Sequence, residues 1–390
     1  MYMAFVLVSF YILLSTNEIA FSVMAFFMPF ANIFKTSVNS TSLFTILTII
    51  LVVKLLFTCK VFRVPFFMVW LYLFAVQIFG CAGNIPILIK QALILLLIYG
   101  YFNSCKRIPK ELMVNLSLGL IISCFIANFS KLIPGLSIYM SSIKAYEISS
   151  DVLRFTGLYS DPNYLSLVLI ISCISLLIMV KTKMLEKRYL ILCAFLVYFG
   201  LFTISKSFYI MLVIVSVFYL TLSIKRRQYG ATLLFVFFAI IVIVFLIKSN
   251  PVLFDYFIKR LFYSTDITTG RTEIWKQYIS YFVSNPFQLI FGSGISASKF
   301  TTVAHNTYID FLYYYGIVNT FVFFLGVYLA LKGHIIKFRL QNLIPLICLI
   351  IMSFALSCLQ MYDFAFLLIF ILEFLTESEG IVNNKYILER

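Results

Sequence analysis

Long apolar runs fill most of this chain, and short polar stretches separate them. A helix needs about 20 mainly apolar residues to cross a bilayer's hydrocarbon core. Runs of that kind fall at approximately 2–15, 19–34, 42–58, 66–82, 85–102, 111–129, 164–180, 189–204, 207–223, 231–248, 306–330, 343–360 and 362–376. They predict 13 spans, or 12 if residues 2–34 make one long or broken span, since Asn17 and Glu18 interrupt that stretch. The expected fold class is an all-α integral membrane protein with about 12–13 transmembrane helices and a long outward-facing loop containing short interfacial helices. No internal repeat, Pro-rich linker or disordered tail divides the pattern, so residues 1–390 read as a single polytopic membrane domain.

The short connections alternate in charge. Lys60 and Arg63 fall in one, and Lys106, Arg107 and Lys110 in the next but one. Then come Lys181, Lys183, Lys187 and Arg188, then Lys225, Arg226 and Arg227, then Lys332, Lys337 and Arg339. All five share one parity, which places them in the cytoplasm, and the tail with Lys385 and Arg390 follows them there. The intervening connections face outward, and two are long, roughly 130–163 and 249–305. In the second, Leu253, Phe254, Phe257, Ile258, Leu261 and Phe262 recur at helical spacing opposite Asp255, Lys259 and Arg260, which predicts a helix lying in the interface. A second helix is expected from about Arg271 to Val283, with Ile274, Trp275, Tyr278 and Phe282 on one face and Asn285-Pro286 ending it. Gly292 and Gly294 then allow a tight turn toward His305.

Composition supports the membrane reading. The chain is 63% hydrophobic and 12% charged, with mean hydropathy +1.04, whereas a soluble domain is about a quarter charged. The apolar start has no basic n-region and no small-residue cleavage site, so the first spans are expected to direct insertion. A net charge of +15 would suggest nucleic acid in a soluble protein, but here the positive-inside bias accounts for most of it. The eight cysteines form no CxxC and read as small buried apolar groups.

Four polar clusters fall on the outward side of this topology, which the charge bias defines without reference to them. They are Arg154-Phe155-Thr156-Gly157-Leu158-Tyr159-Ser160-Asp161-Pro162-Asn163, Ser205-Lys206-Ser207, Gly270-Arg271 with Trp275, and His305-Asn306. Three cations with a histidine suit a pyrophosphate and a group transfer, because a guanidinium fork binds phosphate oxygens bidentately and an ammonium adds a point charge. Asp161-Pro162 reads as an N-cap followed by proline at the first helical position, and that helix terminus would offer free N–H groups to an anion. His305 can take a proton from an attacking hydroxyl near neutral pH.

Each residue also has a plainer reading. Asp161-Pro162-Asn163 serves as a helix cap, Lys206 snorkels from a tight turn, Arg271 anchors an interfacial helix, and His305 starts a helix. Lys90 either snorkels or lines the same cavity, Lys54 snorkels inward, and His334 is expected to be solvated in a basic cytoplasmic loop. No metal and no cofactor are expected. The two histidines fall on opposite sides, no ligand cluster or Asp-x-Asp occurs, and no Walker-type phosphate loop is present.

The ordered set Arg154, Gly157, Asp161-Pro162-Asn163, Thr203-Ile204-Ser205-Lys206, Gly270-Arg271 with Trp275, Pro286, Gly292-x-Gly294, His305-Asn306-Thr307-Tyr308 and Gly316 resembles the O-antigen polymerase and ligase superfamily of bacterial envelope enzymes. It spans about residues 150–320, and the N-terminal third is similar only in hydropathy. The resemblance implies a metal-independent, inverting glycosyltransferase of the inner membrane that uses an undecaprenyl-pyrophosphate-linked glycan at the periplasmic face, and it would make the long outward-facing loop at 249–305 periplasmic. By the same resemblance, Arg154 and Arg271 would bind the donor pyrophosphate, His305 would activate the acceptor hydroxyl, and Asp161, Asn163 and Asn306 would support them. Lys206 stands where many members carry arginine, which keeps the charge and loses the fork.

These features lead to the expectation of an O-antigen (surface polysaccharide) repeat-unit polymerase in lipopolysaccharide biosynthesis. Its partners would be the undecaprenyl-pyrophosphate-linked glycan and membrane lipids, with a chain-length regulator protein left open and nucleic acid excluded. One alternative is the ligase that moves finished polymer onto lipid A core. The abundance of Phe (44) and Tyr (25) leans toward the polymerase. A second alternative is a lipid-linked oligosaccharide flippase or other transporter. Transporters hold charges near the bilayer midplane, whereas the centres of these runs are nearly free of them.

Overall fold

In a computed structural model of the chain, the described residues are 2–33, 42–79, 85–106, 109–129, 146–149, 152–225, 255, 258, 270–294, 300, 303–336, 340–360 and 364–378. The expected span at 231–248, all of the interfacial helix at 253–262 except Asp255 and Ile258, and the tail with Lys385 and Arg390 lie outside them.

The described chain is mostly helical. Its α-helices are α1 (Tyr2–Leu14), α2 (Asn17–Phe27), α3 (Leu43–Phe57), α4 (Val64–Phe79), α5 (Ile85–Ser104), α6 (Pro109–Asn128), α7 (Pro162–Lys181), α8 (Leu190–Phe202), α9 (Lys206–Lys225), α10 (Arg271–Ser284), α11 (Pro286–Phe291), α12 (Thr307–Tyr314), α13 (Gly316–Leu331), α14 (Leu340–Ser353) and α15 (Phe364–Leu375). Two short antiparallel pairs accompany them. β1 (Tyr146–Ser149) pairs with β2 (Val152–Phe155) so that Glu147 lies opposite Arg154. β3 (His334–Ile336) pairs with β4 (Thr376–Ser378).

By length and composition, α5, α6 and α7 can each cross a membrane, and α12 with α13 makes a fourth if that bent pair counts as one span. The other apolar helices run 10–17 residues, so the expected 12 or 13 full-length spans are not reached among the described residues. Polar caps cut the apolar runs shorter than their hydropathy suggests. Thr16 accepts from the Ile19 N–H and starts α2, which divides residues 2–34 into two helices. Lys54 does not simply snorkel: its Nζ donates to the carbonyls of Ile12 and Ser15 and so satisfies the end of α1.

Helix α7 is the hub. Its apolar window is 83% buried, and it packs against α6, α8, α9 and α14. Apolar residues occur all round it, as expected of a helix enclosed on every side. Its N-terminus is set by Asp161, whose extended backbone (φ −142°, ψ 133°) and side chain cap the Asn163 N–H at 2.6 Å, with Pro162 next. The capping reading of Asp161-Pro162 therefore holds.

The expected continuous span at 306–330 is corrected: α12 and α13 meet at 106°. Hydropathy runs unbroken through the corner, so the cause lies in the backbone. Gly316 has φ +70°, and a Cβ there would come within 2.2 Å of Gly292 N. The Gly292–Gly294 segment thus passes directly against the corner rather than merely turning toward His305. Ser293 N–H donates to Tyr313 O at 2.7 Å and Gly294 N–H to Tyr314 O at 3.2 Å, which satisfies carbonyls left open where α12 ends. Asn319 Nδ2 donates to Phe291 O at 2.7 Å and ties α11 to α13.

His334 is also corrected. It is half-buried in β3, with its ring edge-on to Phe102 at 5.3 Å, because pairing with β4 folds this segment back onto the bundle. Of the seven described cysteines, five are buried, whereas Cys59 and Cys105 are half-buried and so depart from the expected buried setting.

Candidate functional site

Four helix starts and one strand end meet at a single place. Arg154, in β2, is 3% exposed. Its Nε donates to Thr203 O at 3.1 Å, and its Nη2 donates to Asn163 Oδ1 at 2.9 Å. Ser205 Oγ donates to the same Asn163 oxygen at 2.8 Å and lies 2.9 Å from Ser207 Oγ. Ser166, one turn into α7, donates to Ser205 Oγ at 3.2 Å. Arg154, the start of α7 and the α8–α9 turn are therefore one hydrogen-bonded unit in a buried setting, where such bonds are strong and their loss is costly.

The α8–α9 turn is strained. Ile204 has φ +46°, a left-handed conformation that a β-branched residue rarely adopts. It places the Thr203 carbonyl under Arg154 and the Ser205 hydroxyl on Asn163, so packing and hydrogen bonds hold the strained residue in place. Lys206 is half-buried and opens α9 directly after Ser205.

The second half of the site is electrostatic. Arg271 is half-buried at the start of α10, and its N-cap Gly270 has φ +80°. Burial lowers the Arg271 pKa from its ordinary value, and nearby Asp161 and Tyr164 oppose that shift. His305 lies just before α12 with φ +48°. Its pKa is lowered below the ordinary imidazole value first by burial and then by Arg271, with Asp161 opposing. Its Nδ1 is buried and has no hydrogen-bond partner among the described residues. Burial and the neighbouring guanidinium thus both favour the neutral imidazole, the form whose unprotonated ring nitrogen can accept a proton.

Local folding holds His305 in place. Asn306 Oδ1 accepts from Tyr308 N–H at 3.0 Å and Ile309 N–H at 3.2 Å, so Asn306 is the α12 cap. Trp275 Nε1 donates to Ala304 O at 2.9 Å and ties α10 to the residue before the histidine. Thr307 Oγ1 donates to Leu356 O at 2.6 Å and accepts from Cys358 N–H at 3.0 Å. Beneath this region Tyr278, Tyr281, Phe300 and Tyr313 pack ring against ring.

The structure thus brings together Arg154, Asp161, Asn163, Arg271 and His305, with Asn306 as the cap and Lys206 adjoining through Ser205. Sequence reasoning missed Thr203 as the carbonyl under Arg154, Ser166, the strain at Ile204, and the Leu356–Cys358 turn that holds Thr307. A polar residue at the first position of an apolar helix, as Thr307 is, was the available signal for the last. No cluster of His, Cys, Asp and Glu able to hold a metal ion occurs among the described residues. No protein-family model, curated protein or solved structure matches this chain.

Proposed function

We propose that this chain is a surface-polysaccharide polymerase of the O-antigen type, joining undecaprenyl-pyrophosphate-linked repeat units at the periplasmic face of the inner membrane. The observation that carries this reading is the meeting of Arg154, Arg271 and His305, from distant parts of the sequence, around the capped start of α7. Large apolar side chains such as Phe321, Tyr328, Val213 and Leu14 are exposed on many helices, which suits burial in lipid.

In this reaction the growing glycan on its pyrophosphate carrier is the donor. The acceptor is the non-reducing end of a single lipid-linked unit. His305 takes the proton of the acceptor hydroxyl. That oxygen bonds to the donor's anomeric carbon as the bond to the pyrophosphate oxygen breaks on the opposite face, which inverts the configuration. The leaving pyrophosphate carries the electron pair away, and Arg271 and Arg154 offset its charge, with Lys206 adding to the field. A donor aimed at developing charge contributes about 3 kcal/mol to such a barrier.

The test is lipopolysaccharide from the host with the gene deleted, then restored as wild type or as His305→Ala. The polymerase reading expects core bearing a single repeat unit in the deletion and the His305→Ala strain. Bare core with long glycan stranded on the carrier would indicate the ligase, and an unchanged ladder would exclude both.

A further inference from the structure

Helices α10 and α11 form a hairpin with one edge committed to protein and another left bare. Tyr278 and Phe282 of α10 are buried in the cluster that also holds Ala304 and Tyr313. The bare edge carries Ile279, Val283, Phe287, Ile290 and Phe291, all exposed, with Val283 at 78% and Phe287 at 66%. The Phe287 and Phe291 rings meet at 4.8 Å, and no charged residue falls between Lys276 and Lys299. A contiguous apolar patch of this kind marks an interaction surface.

The fold sets the depth of this patch. Helix α13 exposes Ile317, Phe321, Phe324 and Tyr328 along its length. Helix α12 meets it almost at a right angle, so with α13 across a membrane α12 lies along the surface. Helix α10 follows α12: Trp275 bonds Ala304 O just before it starts, and Tyr278 and Tyr281 meet Tyr313 edge to face near its end. Helix α11 then packs on the first turn of α13, where Asn319 Nδ2 holds Phe291 O about 4.5 Å along the axis from Gly316. Phe291 therefore lies inward of the corner, at the edge of the hydrocarbon. The backbone at the hairpin turn is met from within: Gln288 and Leu289 N–H donate to Asn285 O, Gly292 N–H donates to Gln288 O, and Asn285 Nδ2 donates to Tyr281 O. Acyl chains, which offer no hydrogen bonds, impose that condition.

We propose that the α10–α11 hairpin is a lipid-inserted anchor, with Val283, Phe287, Ile290 and Phe291 among the acyl chains of the outer leaflet; this rests on the reading above that the chain spans a membrane. An interfacial helix buries its apolar side about 5–10 Å into the headgroup–acyl boundary, which is the depth that the Asn319–Phe291 bond gives α11. Lipid fits the patch better than a protein partner does. The patch carries no charge that would select a partner, and it runs onto the exposed residues of α13 at Ile317 and Phe321. The anchor has a consequence for the candidate site. Arg271 opens α10, and Trp275 of the same helix holds the residue before His305. A hairpin fixed in lipid would hold both at headgroup depth, where a lipid-linked pyrophosphate lies.

The test puts a fluorescent amino acid, by amber suppression, in place of Phe287, Ile290, Lys276 or Phe321 in the full chain, held in nanodiscs whose lipids are brominated near the top of the acyl chain. All four side chains are exposed, so the labels displace no packing. Bromine should quench the label at Phe287 and Ile290 as strongly as at Phe321 and leave the label at Lys276 bright. Quenching at Phe321 with bright labels at Phe287 and Ile290 would overturn the anchor alone and leave the patch to a protein partner. A bright label at Phe321 would overturn the membrane reading and the anchor with it. Equal quenching at Lys276 and Phe287 would also overturn the proposal, because the hairpin would then have no lipid-facing edge. In a second arm, Phe287→Asp with Ile290→Asp should keep the chain monodisperse in detergent and abolish quenching of a label at Val283; unchanged quenching there would overturn the role of α11. The readout needs no turnover, so a polymer ladder indifferent to His305→Ala would leave the anchor standing.

Discussion

Asn163 holds Arg154 through a shared oxygen: its Oδ1 accepts from Arg154 Nη2 at 2.9 Å and from Ser205 Oγ at 2.8 Å. That single atom sets the direction of the guanidinium and fixes the α8–α9 turn to the start of α7. The Asn163 amide adds no charge of its own beside the guanidinium, and the Thr203 carbonyl holds Nε from the other side.

Replacing Asn163 with Asp separates orientation from charge. The carboxylate would pair with Arg154 and hold it at least as firmly, so melting in detergent should stay close to wild type. Under the proposed reaction, polymer formation should fall about 100-fold or more, because the added negative charge opposes a leaving pyrophosphate. Asn163→Ala should instead lower stability by about 2 kcal/mol, the cost of leaving a buried charged donor without its acceptor. A wild-type ladder in Asn163→Asp would remove Arg154 from the phosphate site.

The α12–α13 corner gives a prediction about folding. Gly316→Ala would push a Cβ into Gly292 N and force φ +70° on a residue that resists it. Overpacking and strain of this kind cost about 3 kcal/mol together. The expected outcome is a marked drop in melting temperature and in purified yield, visible by size exclusion before any activity is measured. An Ala variant of normal stability would mean that the two backbones do not meet at the corner.

How much of this was readable from the chain differs from residue to residue. Asp161-Pro162 announced its cap because its signal is local: an acceptor side chain, then a ring with φ preset for the helix. The bounds of α10 were readable for the same reason, with Gly270 before it and Asn285-Pro286 after. The corner at Gly316 was not readable, because apolar residues continue through it and only the distant Gly292 backbone makes glycine necessary. Lys54 and His334 were misjudged because their partners, Ile12 and Ser15 in one case and Phe102 and β4 in the other, are far away in sequence.

The environment of His305 predicts the pH dependence of activity. Burial and Arg271 hold the imidazole pKa below its ordinary value near 6.5, so the base stays neutral and competent into mildly acid solution. The acid limb of the rate profile should therefore fall below pH 6.5. Arg271→Gln removes the second of those causes, so its residual activity should show an acid limb shifted upward. For stability the sign runs the same way. Above the unfolded-state value both states are neutral and nothing is lost. As pH falls below it, the unfolded chain takes up a proton that the folded chain resists, and stability declines. An acid limb at or above the ordinary imidazole value would contradict the burial of His305.

Thr307 tests how firmly the histidine must be held. Its hydroxyl bonds Leu356 O and Cys358 N–H at once, which fixes the start of α12 to the turn after α14. Thr307→Val keeps the shape and leaves both backbone groups buried without that partner, costing about 2 kcal/mol. Thr307→Ser should retain most activity and stability, because the hydroxyl remains. If the valine variant folds normally and still polymerises at the wild-type rate, the placement of His305 does not depend on this contact.

Asp161 separates the two readings that its position allows, cap or site. Asparagine caps a helix about as well as aspartate, so Asp161→Asn should preserve α7 and the melting temperature. It removes the negative charge that sits with Arg271 and His305, and both neighbours report the loss. His305 loses the group that opposes its lowered pKa, so the acid limb should move further down. Arg271 loses the charge that favours its protonated form in a buried setting, and in the proposed reaction its guanidinium would meet the donor pyrophosphate without a competing carboxylate. Apparent affinity for a lipid-linked donor should therefore change in Asp161→Asn while stability does not. Asp161→Ala should lose both, with about 1 kcal/mol from the missing cap. If the asparagine protein matches wild type in stability, donor affinity and pH profile, Asp161 is only a cap, and the electrostatic half of the site consists of Arg271 and His305 alone.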